Sequence, residues 1–572
     1  MQRIIRRVTN FAVQTENILL LFVQIPLKLR PTFTFLTLSY CLTILILLAT
    51  TSPARAENLA IVDAESIRAQ LTSNIASYQG DSEQKNLQRF YAQRDYQPVW
   101  VLSDHASDLL NTALALIEQA DEEGLSSDDY RSAFLQAQHA TASYDEVSLP
   151  LELDITRALL ALARDWYRGR LDAALADPDW HIPQSKFDAV AFLHKAIASG
   201  ELQQIFTDLL PSIPQYRLLK QSLREFRLLA DITSQMHIPE SALSIHPYSR
   251  HASIPLIRQR ILEAHHVFEK PEYDIVADDN DLYDGQLETA IRTFQRQYGL
   301  NADGIIGKNT RQALNMTPDE HVRRLRISLE RLRWLPKELG KRYILVNIAG
   351  FDLAAIENDE RIFDMRIVVG RGYRSTPSFS SKISHLVLNP YWNVPRSIAR
   401  KDLLPKQKNN PDYFVSQGIR VFSDYQYESE IDSYSIDWHS INSSSLPYVF
   451  RQDPGRRNAL GTIKFMFPNP FSIYLHDTPS KYLFKRDVRT FSSGCIRLER
   501  PLQLAEFVLG GAFEQADLAE KIASGKTRTV NLAERVPVYL LYLTTWSDEQ
   551  DEVHFSSDVY GRDERALAYA HW

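Results

Sequence analysis

The chain has 572 residues and a formal net charge of −7. With the six basic and one acidic side chains of residues 1–56 set aside, the remainder carries 58 basic and 70 acidic groups, a net −12. That balance argues against nucleic acid as a partner, since phosphate binding needs a basic surface, and leaves a neutral or zwitterionic polymer as a ligand class.

Residues Pro31 to Ala54 hold no charged side chain, and Leu36 to Leu48 form an apolar core behind Arg3, Arg6, Arg7, Lys28 and Arg30. Ala54-Arg55-Ala56 fits a small-x-small cleavage site, so residues 1–56 read as a secretory signal peptide. The rival reading is an uncleaved inner-membrane anchor, for which the uncharged stretch is long enough. Removal of the segment takes Cys41 with it and leaves Cys495 as the one remaining cysteine. The remainder then has no internal disulfide and must be stabilised by its cores; its length supports three or more domains.

Residues 57–253 read as an α-helical scaffold. Leu159, Leu160, Leu162, Ala163, Trp166 and Tyr167 recur at helical spacing. Gly124 to Tyr130 reads as a helix stop with a capped restart, and Trp100 reads as core. Residues 254–316 form a compact three-helix unit, with Leu256, Ile257, Ile261 and Leu262 on one helical face and Leu287, Ala290, Ile291 and Phe294 on another. Its string Ala290-Ile291-x-x-Phe294-Gln295-x-x-Tyr298-Gly299-Leu300, followed by Asp303-Gly304-x-x-Gly307, resembles the peptidoglycan-binding type 1 module. The resemblance implies docking on cell-wall glycan-peptide.

Residues 317–340 hold a basic amphipathic linker helix, His321 to Trp334, expected to be solvated between domains. From residue 341 the period changes to two. Tyr343–Ile348, Phe351–Ile356, Arg361–Val369 and Leu386–Leu388 read as closely spaced strands of a sandwich or barrel. A polar, Tyr/Ser-rich insertion over about 398–453 reads as a cap, and strands resume at Gly461–Phe467. The domain is drawn to residue 530, with 531–572 as a C-terminal segment whose Val536–Leu543 strand belongs either to this sheet or to the scaffold. The fold class is multidomain α+β.

Cys495 sits in Phe491-Ser492-Ser493-Gly494-Cys495-Ile496-Arg497, nineteen residues after His476 in Tyr474-Leu475-His476-Asp477. A lone thiol is by default inert core. Here a Ser-Ser-Gly turn offers free backbone N–H groups, and a strand-borne imidazole offers a base, which is the equipment of a thiol nucleophile. The N–H groups of Cys495 and Gly494 are the oxyanion candidates. Arg497 either orders the loop or meets a substrate carboxylate. Tyr474 lies two residues from His476 on one strand face and either lines a pocket or is core. The group orienting His476 is a backbone carbonyl, Ser492 or Ser493. There is no His-Glu-x-x-His and no cysteine pair, so no metal or other cofactor is expected.

The Tyr474/His476 strand with Ser492, Gly494, Cys495 and Arg497 resembles the catalytic motif of YkuD-type L,D-transpeptidases. Asn389 to Pro395 and Arg451 to Asn469 add further matches. Ser493 stands where many members have His; Ser-Ser-Gly-Cys is similar to the large periplasmic YcbB-like branch, which has an inserted cap and a peptidoglycan-binding module. The resemblance implies a YkuD-like β-sandwich, Cys495 and His476 as catalytic pair with Ser493 and Gly494 in the catalytic loop, and Tyr474, Arg497, Ser492 and Asn393 at the substrate. It implies 3→3 cross-linking of peptidoglycan tetrapeptide stems in the periplasm of a Gram-negative bacterium. It further implies carbapenem-type β-lactams as covalent inhibitors, and carboxypeptidases and glycan polymerases as candidate partners. An L,D-carboxypeptidase or endopeptidase, a protein-to-wall ligase and a non-catalytic wall-binding scaffold remain as alternatives.

Overall fold

A computed structural model describes residues 62–73, 82–100, 106–141, 148–230, 237–267, 281–548, 550 and 552–572. The export segment expected over 1–56 lies outside these residues. No helix among them is long and apolar enough to cross a membrane.

The scaffold is helical as its periodicity requires. Its longest helix, Leu149–Arg168, starts on the Ser148 cap with a proline in the first turn. It buries Leu159, Leu160, Leu162, Ala163 and Trp166. Trp100 is core, with its indole N–H donated to Thr156 Oγ1 at 2.9 Å. Helices Ile254–Val267, Gly285–Gln297 and Lys308–Leu314 form the small module. Its first helix packs through Ile254, Ile257 and Ile261, while Leu262 turns outward, 37% exposed. The expected face is therefore rotated by about a residue.

The strands are β1 (Arg342–Asn347), β2 (Asp352–Glu357), β3 (Glu360–Gly370), β4 (Phe379–Leu388), β5 (Trp392–Asn393), β6 (Ile419–Phe422), β7 (Glu430–Ile431), β8 (Val449–Gln452), β9 (Ile463–Met466), β10 (Leu475–His476), β11 (Thr490–Ser492), β12 (Ile496–Leu498), β13 (Arg528–Leu541), β14 (Thr545–Ser547) and β15 (Val553–Phe555). Among the described residues nine of them make one sheet, in the order β11-β3-β12-β10-β9-β4-β13-β1-β2. The sheet folds over on itself because the eleven-residue β3 also pairs with β2. Residues 360–366 of β3 lie against β2, and 367–368 against β12. The enclosed core includes Ile344, Leu353, Ile367, Leu386, Phe465, Leu475, Ile496 and Leu540.

The boundary expected at residue 530 cuts through β13. That strand pairs with β4 over Arg528–Leu540 and with β1 over Val538–Leu541. The Val536–Leu543 question is thereby answered: this strand lies inside the nine-stranded sheet, between β4 and β1, and not in the scaffold.

The insertion carries its own fold, a four-stranded sheet β5-β8-β6-β7 over a core of Trp392, Phe414, Val421, Trp438, Leu446 and Phe450. It begins at Trp392 rather than 398, because β5 pairs with β8. Its aromatic residues, spread thinly through a polar sequence, supply that core.

The linker helix, Pro318–Arg333, is not solvated. Arg331 and Arg333 are fully buried. Arg333 pairs with Glu330 at 2.9 Å and donates to the Glu123 carbonyl and the Tyr216 hydroxyl, each at 2.8 Å. Arg331 pairs with Asp563. The basic residues that gave the helix its solvated appearance are neutralised by Asp563 from a distant segment and by Glu330 of the helix itself. One apolar cluster runs from Tyr216 and Ile257 through Leu329 and Trp334 to Tyr343 and Tyr539, so scaffold, module, helix and sheet share a core.

Candidate active site

β10 has two residues and lies between β9, antiparallel, and β12, parallel. In register Leu475 faces Ile496 and His476 faces Arg497. The Ile496 N–H donates to the Tyr474 carbonyl at 3.1 Å. This ladder brings Tyr474 beside Cys495, and the Tyr474 hydroxyl lies against the thiol. The Tyr474 and His476 rings share a strand face, with centroids 5.7 Å apart.

The Cys495 loop is built around one hydroxyl. Ser492 Oγ donates to the Cys495 carbonyl at 2.6 Å and accepts the Gly494 N–H at 3.0 Å. Ser492 is 3% exposed, so it buckles the loop and has no surface for substrate. Gly494 has φ +115°, which only glycine adopts without strain. Its N–H is spent on Ser492, which removes it from the expected oxyanion pair. The Cys495 N–H has no acceptor among the described residues. The Gly494 carbonyl accepts from Thr376 Oγ1 at 2.8 Å.

Ser493 Oγ accepts from Arg374 at 2.8 Å, and Arg374 pairs with Asp402 of the cap at 2.5 Å. Ser493 thus ties the loop to the cap, and neither Ser492 nor Ser493 meets the imidazole. The orienting group is the Asp477 backbone carbonyl, 2.5 Å from His476 Nδ1. A carbonyl only accepts, so Nδ1 carries the proton and Nε2 is left as the basic nitrogen. The Asp477 carboxylate points elsewhere, accepting from the Thr462 N–H and hydroxyl, each at 2.9 Å, and pairing with Lys481 at 2.7 Å. A Cβ at Gly461 would lie 2.3 Å from that carboxylate, which accounts for the glycine there.

Burial, with the Arg497 and Lys464 cations nearby, pushes His476 down to about 3. Burial pushes the Cys495 thiol up, opposed by Tyr474, Lys464 and Arg497. The resting pair is a neutral imidazole and a neutral thiol, and not the ion pair of a pre-activated cysteine. The thiol is turned to the Ser472 carbonyl at 3.8 Å, with no hydrogen bond to His476 among the described residues.

The Arg497 guanidinium makes no ion pair or hydrogen bond among the described residues, and its Nε is buried without a partner. Lys464, opposite His476 on β9, places Nζ 3.8 Å from the centroid of the Tyr474 ring. The sequence quoted Lys464 only as part of a motif. Its signal was alternation with buried Ile463 and Phe465, which sets it on the opposite side of a strand from the core. Trp392, with its side chain against the Tyr474 hydroxyl, was also missed. Asn393, the next residue along β5, is exposed on the other face of that strand, so Trp392 and not Asn393 meets the site. Thr376, Arg374 and Asp402 act across long sequence separations and left no local signal. A cleft of about 1090 Å3 lies away from the thiol, where Asn309, Arg323, Phe351, Val488 and Glu564 converge.

Residues 341–536 match the L,D-transpeptidase catalytic domain of the YkuD family, residues 259–314 a "Putative peptidoglycan binding domain", and residues 85–223 a scaffold domain. A "Putative L,D-transpeptidase" of Haemophilus influenzae is 36% identical over 253 residues, 44% of this chain. The match spans 50% of that relative's length. Solved L,D-transpeptidase structures from Xylanimonas cellulosilytica and Stackebrandtia nassauensis each align with 53% of this chain at 13% identity. They are covered over 100% and 97% of their lengths, with TM-scores of 0.17 and 0.21.

Proposed function

We propose that this chain, which carries a YkuD-type L,D-transpeptidase catalytic domain and a peptidoglycan-binding domain, forms 3→3 cross-links between peptidoglycan stems through a Cys495 thioester. The observation that carries the reading is the unspent Cys495 N–H beside the only thiol of the catalytic domain, within a loop whose Ser492 hydroxyl, Gly494 N–H and Gly494 carbonyl are all bonded.

His476 Nε2 takes the thiol proton as Sγ adds to the carbonyl of the third stem residue. Bringing sulfur to Nε2 requires the thiol to leave the Ser472 carbonyl; catalytic hydrogen bonds are often unmade before substrate binds. The tetrahedral oxygen settles on the Cys495 N–H. Collapse breaks the amide bond, and the imidazolium protonates the departing amine of the terminal D-residue. The acceptor's side-chain amine then attacks the thioester and gives its proton to His476, and the thiol is restored. Arg497, a cation with no partner among the described residues, is suited to a stem carboxylate. Residues 1–56 would deliver the enzyme to the periplasm, and the small module would hold it on the wall. A carboxypeptidase that trims pentapeptide stems would supply the donor.

The test is intact mass of the purified protein after incubation with meropenem, beside Cys495→Ala, followed by product analysis with tetrapeptide stems. A drug-sized adduct lost in the variant, with 3→3 dimers, is the expected result. Shortened monomers alone would replace cross-linking by hydrolysis. Folded protein with neither adduct nor product would sink the enzymatic reading.

A further inference from the structure

We infer that Thr376 is a positioning residue for acyl transfer, its hydroxyl aiming the Cys495 N–H and its carbonyl being held by Arg562, which pairs with the scaffold. The inference rests on the thiol acyl-transfer reading and adds to it a specific device.

The Gly494 carbonyl and the Cys495 N–H belong to one planar trans peptide, so they point in opposite directions. Whatever fixes the carbonyl fixes the N–H. Gly494 has no side chain to restrain that plane, and at φ +115° its backbone is otherwise permissive. The restraint comes from Thr376 Oγ1, which donates to the carbonyl at 2.8 Å and accepts the Gly370 N–H at 3.0 Å. Both sides of the hydroxyl are used, and Thr376 is fully buried.

Thr376 is itself anchored from outside the catalytic sheet. Its carbonyl accepts Arg562 Nη2 at 2.8 Å, and Arg562 Nη1 reaches Ser378 Oγ at 3.1 Å. Arg562, fully buried, pairs with Asp179 at 3.2 Å. The Ser378 N–H donates to the Asp179 carbonyl at 2.9 Å, and the His181 N–H to the Ser378 carbonyl at 2.7 Å. Asp179 and His181 lie within the scaffold match of residues 85–223. On the other side of the thiol, the His181 ring packs on Phe471 at 4.7 Å, next to the Ser472 carbonyl that the thiol faces. The scaffold segment thus flanks the cysteine loop through two routes, and the Thr376 route ends on the peptide that presents the oxyanion donor.

The test separates aiming from folding. Alkylation of Cys495 by iodoacetamide needs the thiolate and no oxyanion donor, whereas β-lactam acylation needs both. In the full chain, Thr376→Val and Thr376→Ala should slow acylation by meropenem about 10- to 100-fold, the range for a misaimed oxyanion donor. They should lower kcat for tetrapeptide donor with KM little changed, and leave the alkylation rate and its pH profile as in wild type. Thr376→Ser, which keeps the hydroxyl, should acylate as wild type does. Wild-type acylation by the Val or Ala variant, a parallel fall of acylation and alkylation, or a Ser variant as slow as Val would each overturn the inference. Should Val and Ala fail to fold, Arg562→Lys, which withdraws the grip on the Thr376 carbonyl, is read with the same pair of assays and the same outcomes. Wild-type protein that is alkylated but never acylated would instead strike the acyl-transfer reading itself.

Discussion

Ser492 and Cys495 are joined by a hydrogen bond that runs along the Cys495 loop, from the serine hydroxyl to the cysteine carbonyl at 2.6 Å. The same oxygen takes the Gly494 N–H, so one buried hydroxyl closes the turn from both ends. Ser492→Ala leaves the buried Gly494 N–H without an acceptor. The expected loss is about 1–3 kcal/mol in denaturant unfolding, with slower meropenem acylation. Unchanged stability would show the loop to be held by other means.

A neutral resting pair predicts the titration of Cys495. With the thiol pushed up by burial and His476 held neutral, the rate of iodoacetamide alkylation should climb with pH into the alkaline range. An acid-side shoulder, the signature of a thiolate–imidazolium pair, should be absent. The measurement is alkylation rate against pH by mass spectrometry; a plateau reached near neutrality would show the ion pair to exist at rest.

Arg497 should divide binding from stability. Arg497→Gln removes a half-buried cation that has no partner among the described residues, so thermal stability should hold or rise. If the guanidinium meets a stem carboxylate, KM for tetrapeptide donor should rise at least about tenfold, the worth of one charged hydrogen bond. A lower melting temperature with unchanged KM would assign the side chain to loop order.

Two buried histidines make the fold sensitive to acid. His321, bonded to the Tyr298 hydroxyl at 2.6 Å and the Thr317 carbonyl at 2.7 Å, is pushed down by burial to about 3, as is His476. In the unfolded chain each titrates near about 6.5. Between those values the unfolded state binds protons that the folded state refuses. Stability is therefore full above about pH 6.5 and declines as pH falls toward about 3, by up to about 1.4 kcal/mol per pH unit per histidine. His321→Gln should flatten this slope in guanidinium unfolding at pH 4 to 7; an unchanged slope would locate the acid sensitivity elsewhere.

Much of this was legible in the chain. The scaffold helix Leu149–Arg168, the three-helix module and the strands β1 to β3 announce themselves by local sequence pattern, whereas only the last three residues of β4, Leu386–Leu388, read as strand in the sequence. The loop Ser492–Cys495 and the strand of His476 are contiguous motifs. Arg331 and Arg333 misled because a helix rich in arginine reads as solvated; their partners Asp563 and Glu123 lie more than two hundred positions away. The cap's start was misplaced because Trp392 and Asn393 pair with a strand about sixty residues later. Thr376 and Asp402 carry no mark of their own, since their meaning comes only from what the fold sets opposite them.

The double pairing of β3 has a consequence for handling the protein. The large sheet closes through β2, but β1 pairs with β13 only over Val538–Leu541, which leaves residues 528–537 of β13 with a ladder partner on one side, β4. A second, shorter margin is the three-residue β11, paired on one side to β3. Edge-to-edge association, the usual route by which β-rich proteins aggregate, is opposed along the longer margin by its exposed charges Arg528, Glu534 and Arg535. Concentrated preparations should therefore lose material mainly through unfolded chains rather than through native contacts between sheets.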